Sequence, residues 1–458
     1  MFRGVARELY AFREKATCLY GPCIAAVVGR EAIPVARLAQ SHRSSRGRVM
    51  KAKFSGLDLL RFALALYLTL FHSIHQYPQS RGIPLIELAG MGGFVTSTFF
   101  VLSGFILAHV YFGESDSMRG STRTFFVKRL SNLYVIHFIG LALFFAVALV
   151  STHAITAFAL MTLDDGPEKT IALAPSMATL NVVLNVLLLQ VWNPLYGSIN
   201  PSSWSLAVLL FFYLTFPFAA PRLLAGRNKP ALLCLLCGLY LVPPVLASVL
   251  HWYDPVAVGT ILRNPVLRSP EFLGGIVLYG MCREGTLAPI ASAPSRRVIA
   301  LAFVACCFVV GAWAVAHGPE YARYLVHNGA MLPAELVLIV LCTSVKLPEN
   351  CERLASRLGN SALSIFAIHA PIFMLMIKAT KLLSMGISPF ECAKHFAACA
   401  AVSKDVVPGM GGLPLYLIAT AVAAVYFHEH LVAPLRDMVR RKLLAHGHAK
   451  HEPGAASA

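Results

Sequence analysis

Charged side chains are scarce in this chain. Only 22 Asp and Glu stand against 39 Lys and Arg in 458 residues, and together they make up 13% of the sequence. A soluble globular chain carries about 25%, so a soluble fold is excluded. With 57% apolar residues and a mean hydropathy of +0.66, the composition is that of a polytopic membrane protein. A disulfide framework is also missing. Of the eleven cysteines, Cys234, Cys237, Cys306, Cys307 and Cys342 sit in apolar runs, where Cys acts as a small hydrophobe. Cys234 and Cys237 have the spacing of a redox or zinc motif, but no second pair or nearby histidine joins them, so no metal site is read there. His446, His448 and His451 are read as a solvated tail.

No internal repeat, direct or inverted, is visible, and no soluble domain is appended. Apolar segments run almost without a break from Leu57 to Pro434, at 57–76, 88–112, 133–153, 204–222, 231–250, 266–282, 298–317, 329–346, 361–380 and 411–433. They predict an all-α fold of about ten transmembrane helices with both termini cytoplasmic. That topology leaves about 19 Lys and Arg in cytoplasmic segments and about 8 outside, as the positive-inside rule requires. The stretch 171–192 is read as re-entrant or lying along the external surface, because a full crossing there would move several basic clusters outside. A second crossing at 154–163 would restore the parity of an eleven- or twelve-span alternative. The formal charge of +17 comes from loops between apolar segments, so membrane lipid headgroups are the expected partners and nucleic acid is not.

The membrane domain is expected over 50–436, with a cytoplasmic tail at 437–458. Residues 1–49 are basic, broken by Gly and Pro, and lack the basic–apolar–small order of a signal peptide. Either translation begins at Met50 or these residues form a poorly ordered extension.

Against this background, two ionisable residues in the first apolar stretch stand out. Arg61 and His72 are separated by ten residues, and eleven helical steps of about 100° return to within roughly 20° of the start. Both therefore lie on one flank, about 16 Å apart along the axis, with Asp58 one turn before Arg61. Ionisable groups inside spans are costly and usually functional. The structural alternative is a packing pair with Arg61 snorkelling to the surface.

Further along come Gly92-Gly93 and a run from Phe99 to Leu107 that includes Ser103-Gly104; then Phe125 to Tyr134 with Lys128-Arg129; then Asn200-Pro201-Ser202-Ser203-Trp204-Ser205-Leu206, followed by Phe212-Tyr213 and Pro217. Arg268 to Gly275, Leu358-Gly359-Asn360, Ile368-His369-Ala370-Pro371, and Glu429 with Pro434 complete the series. In this order, and with the opening Gly56-Leu57-Asp58, the motifs resemble the acyltransferase 3 family of integral-membrane O-acyltransferases, over about Gly56 to Pro434.

The resemblance implies a bacterial inner-membrane, multi-pass enzyme. It would carry an acyl group, acetyl above all, from cytoplasmic acyl-CoA to a hydroxyl of a cell-surface or exopolysaccharide glycan or a lipid-linked carbohydrate. No tightly bound cofactor is implied; acyl-CoA is a donor substrate. It gives His72 the role of base, since histidine titrates near neutral pH, with Arg61 and Asp58 supporting it. Arg129 and Lys128 would hold the donor's phosphates, a role suited to guanidinium; topology and headgroup contact explain them too. Ser103 and Trp204 are read as helix packing and an interfacial aromatic, like Tyr213. Glu271, one turn from Arg268, is read first as a structural partner, and His369 as either a substrate contact or a core histidine. Two departures from the family pattern are plain. Asn132 stands where a second arginine is usual, and Ala207 to Phe211 lack the glutamate that often follows the Trp-Ser-Leu motif. A polysaccharide or acyl-group transporter, or a catalytically silent membrane partner, are the competing classes.

Overall fold

The computed structural model describes residues 54–448, apart from 75, 81–82, 116, 152–156, 160–169, 196–197, 396–405 and 408. The extension 1–49, the Met50 start, most of the 154–163 segment and the end of the tail lie outside the described residues.

The apolar segments fold as helices: α1 Ser55–Ile74, α2 Gly92–Tyr111, α3 Thr122–Ser151, α4 Pro175–Val186, α5 Ser203–Ala225, α6 Lys229–Val249, α7 Pro255–Arg263, α8 Ser269–Arg283, α9 Pro294–His317, α10 Glu320–His327, α11 Leu332–Thr343, α12 Glu349–Ser384, α13 Gly412–Phe427 and α14 Ala433–His448. Proline opens α4, α6, α7, α8, α9 and α11 near their first position, where its missing N–H costs nothing. A short antiparallel ribbon pairs β1 Ala157–Ala159 with β2 Thr170–Ala172, an addition to the all-helical expectation.

Among the described residues nine helical segments are long and apolar enough to cross a membrane. The predicted segment at 266–282 is α8, whose 15 residues fall short of that length. It still returns the chain to the side from which α6 set out. Lys229, at the start of α6, pairs with Glu284 just beyond α8, and Arg283 Nη1 donates to Ser115 O at 3.2 Å past the end of α2. The ten-pass reading therefore holds. Arg440 Nη2 of α14 donates to Lys128 O at 2.8 Å near the start of α3, and Phe54 lies 4.8 Å from His109 at the end of α2. Both ends of the described chain thus share one face, which the positive-inside bias makes cytoplasmic.

The segment 171–192 enters the bundle rather than crossing it. His137 Nε2 lies 2.9 Å from Asn185 O, and Tyr134 Oη donates to Leu187 O at 3.2 Å. Those α3 residues are about 18–23 Å from its cytoplasmic end, so α4 reaches roughly half depth. Irregular backbone is tolerated there only when protein satisfies it. Asn185 Oδ1 accepts from Ile199 N at 3.0 Å, Asn200 Nδ2 donates to Ala367 O at 3.2 Å, and Arg263 Nη2 donates to Pro194 O at 2.7 Å.

Two helices meet backbone to backbone at the centre. A Cβ on Gly104 of α2 would overlap Phe272 O of α8, and one on Gly275 would overlap Val101 O. Without a hydrophobic force between helices in lipid, such close approach supplies the packing. Gly275→Ala is expected to cost about 1–3 kcal/mol, read as a lower melting temperature in detergent. Gly238→Ala in α6, where a Cβ meets nothing within 4 Å, is the control; equal melting of the two variants would refute the close seam.

The cysteine reading is corrected in one respect: Cys351, at the start of α12, and Cys392, beyond its far end, each form a disulfide, though not with one another, where the sequence showed no disulfide framework.

Candidate active site

The N-terminal half of α1 is fixed against α12, where a side chain at Gly359 would collide with Asp58. This presents Arg61 toward α2, α3 and α5. There it lines a small cavity of about 70 Å³ together with Arg129, Tyr213, Ser103, Phe99, Leu102, Ile106 and Leu107. Arg61 Nη1 is 3.7 Å from Asp58 Oδ1, so the pairing of these two residues expected from their spacing is present but loose. Arg129 lies over the Tyr111 ring at 4.9 Å, a cation–π contact that orients the guanidinium. Its Nε is buried without a hydrogen-bond partner among the described residues. Two guanidinium groups against one carboxylate leave this pocket positive, near the cytoplasmic ends of α1 and α3.

Lys128 is exposed and does not line the cavity; its carbonyl serves Arg440 instead. Asn132 brings no charge to this corner. Arg440 Nε, arriving from α14, donates to Ser131 Oγ at 3.0 Å. Ser103 Oγ donates to Phe99 O at 2.7 Å while lining the cavity. Tyr213 is the residue that sequence reasoning misplaced. It is 8% exposed, midway along α5 beside both arginines, and not at an interface. Its place directly after Phe212 in the motif series was the available signal.

His72 sits elsewhere on α1. It is half-buried, does not line the Arg61 cavity, and stacks on His369 of α12, ring centroids 5.4 Å apart and 19° from parallel. His369 is buried, its Nδ1 lies 3.0 Å from Ile365 O, and its own carbonyl accepts from Tyr416 Oη at 3.0 Å. The structure thus joins Arg61 with Arg129, joins His72 with His369, and separates the two groups by about 16 Å along α1.

Glu271 belongs to a third cluster. Arg268 Nε is 3.0 Å from its Oε2, both side chains being 0–1% exposed. Tyr240 Oη donates to Glu271 Oε1 at 2.6 Å, and Arg268 Nη2 donates to Ser97 Oγ at 3.1 Å. The role expected for the Arg268–Glu271 pair, a polar tie between helices, is what is seen. Trp204 is half-buried, edge-on to Phe100 at 6.2 Å, and takes no part in the cavity.

A family model described as an acyltransferase domain matches residues 54–429, from α1 through α13. With its nine long apolar helices among the described residues, the molecule is a multi-pass membrane protein. The chain belongs to the acyltransferase 3 family. It is also similar to acyltransferase MdmB of Streptomyces mycarofaciens, 26% identical over 266 residues, which are 55% of this chain and 63% of that protein. The chain thus spans just under two thirds of that curated relative. No solved structure matches.

Proposed function

We propose that this enzyme takes an acyl group, acetyl in the first instance, from acyl-CoA on the cytoplasmic side and delivers it to a hydroxyl of a surface glycan or lipid-linked carbohydrate, in a bacterial inner membrane. The observation that carries the reading is the convergence of Arg61 and Arg129 on one positive cavity at the cytoplasmic end of the α1 stripe, with the histidine pair deeper along it. Guanidinium groups in that position suit the phosphates of coenzyme A. The pantetheine arm would extend along α1 and bring the thioester toward His72.

There the acceptor O–H gives its proton to the His72 imidazole as its oxygen attacks the thioester carbonyl. The new C–O bond forms, the C–S bond breaks, and the departing thiolate receives a proton in turn. His72, Arg61 and Asp58 form the proposed catalytic stripe. Arg129 is the principal donor contact, with Lys128 at most a peripheral attraction.

Arg129→Ala is expected to weaken coenzyme A binding to the purified protein by about ten- to a hundredfold, the loss of one charge-assisted phosphate contact. Titration calorimetry in detergent reads this, and unchanged affinity would remove Arg129 from the donor site. For the acceptor, deletion of the gene should strip an ester-linked acyl group from the cell's surface glycans, seen by mass spectrometry.

A further inference from the structure

One atom in the deeper histidine pair has no role in that scheme. His369 is 2% exposed, and its Nδ1 faces Ile365 O at 3.0 Å. A carbonyl oxygen only accepts hydrogen bonds, so Nδ1 carries the proton and the lone pair sits on Nε2. That Nε2 is buried without a hydrogen-bond partner among the described residues. Buried polar atoms are almost always paired, and an exception calls for a reason such as a ligand that completes it. The tautomer is set by Ile365 O, and the backbone that carries the ring is anchored by Tyr416 Oη on the His369 carbonyl. The ring stacks almost parallel on His72, the centroids 5.4 Å apart, so a molecule held at one imidazole lies within reach of the other.

We propose that His369 Nε2 is a binding point for the acyl acceptor, accepting a hydrogen bond from a second hydroxyl of the molecule whose first hydroxyl His72 deprotonates. This rests on the acyltransferase reading under Proposed function and adds a chemical class to it. The acceptor is a molecule with at least two neighbouring hydroxyls, as on a sugar ring, and an isolated alcohol is a poor substitute. His369 binds without changing its protonation and stays neutral throughout the cycle.

Two substitutions separate this role from a structural one. His369→Asn keeps an amide N–H for Ile365 O but has no atom where Nε2 stood. His369→Gln places an amide oxygen near Nε2 and gives up the tether to Ile365. Membranes bearing each variant are assayed with radiolabelled acetyl-CoA and the glycan fraction of the deletion strain. The Asn variant is expected to need about tenfold more glycan for half-saturation, and the Gln variant to stay within about threefold of wild type. Half-saturating acetyl-CoA should be unchanged in both.

Asn behaving like wild type, or Gln as impaired as Asn, overturns the proposal. Should either variant fail to fold, wild-type protein labelled with ¹⁵N-histidine gives the answer: the unprotonated Nε2 resonance must shift when glycan is added, and a static resonance counts against it. Absence of any transfer by wild type would sink the acyltransferase scheme instead, so the two failures are told apart.

Discussion

Replacing His72 with alanine is expected to lower acyl transfer by about 10²–10⁴-fold, the usual contribution of a positioned general base. Coenzyme A affinity should be untouched, because the Arg61–Arg129 cavity lies about 16 Å away along the helix. The measurement is the ester content of glycans in a deletion strain carrying the variant, together with donor binding to purified protein. Full restoration by His72→Ala would exclude the imidazole from the chemistry. Loss of donor binding would show that the substitution had disturbed the cytoplasmic cavity, and would break the proposed division of labour along α1.

The second large effect is on stability. Arg268→Met should destabilise the bundle by about 3–5 kcal/mol, because it leaves a buried carboxylate without its counter-charge. Glu271 would then keep only neutral partners, the Tyr240 and Ser97 hydroxyls, and the guanidinium would vacate its seat beside the Phe100 and Tyr240 rings, each 5.5 Å from it. Adding Glu271→Leu should recover most of the loss, since a buried ion pair replaced by apolar side chains is often neutral. Thermal unfolding in detergent compares the single and double variants. A double variant no more stable than the single one would mean that the carboxylate is held by something other than Arg268.

The helices and their order were legible because a membrane leaves few alternatives. A run of about 20 apolar residues has to be helical to satisfy its backbone. The motif spacing also singled out Arg61, Asp58, His72 and Arg129, of which Arg61 and Arg129 meet in one cavity. What a single chain hides is which helices touch. Tyr213 reads as one more aromatic in an apolar helix until α5 is laid against α1 and α3. The stacking of His72 on His369 joins residues nearly 300 positions apart, and no local pattern encodes it. Lys128 and Arg129 look equivalent in sequence, yet the turn of about 100° between neighbours puts one in the cavity and the other outside.

The shortness of α8 has its own consequence. Fifteen residues reach about 22 Å, less than the roughly 30 Å of hydrocarbon they traverse. Most of α8 is buried by its neighbours, so lipid chains hardly meet this shortfall and no hydrophobic mismatch arises from it. The thickness of the surrounding bilayer acts instead on α9, which turns Val298, Ile299, Leu301 and Trp313 outward. A thicker or thinner membrane therefore tilts the periphery while the Arg268–Glu271 end of α8 keeps its depth.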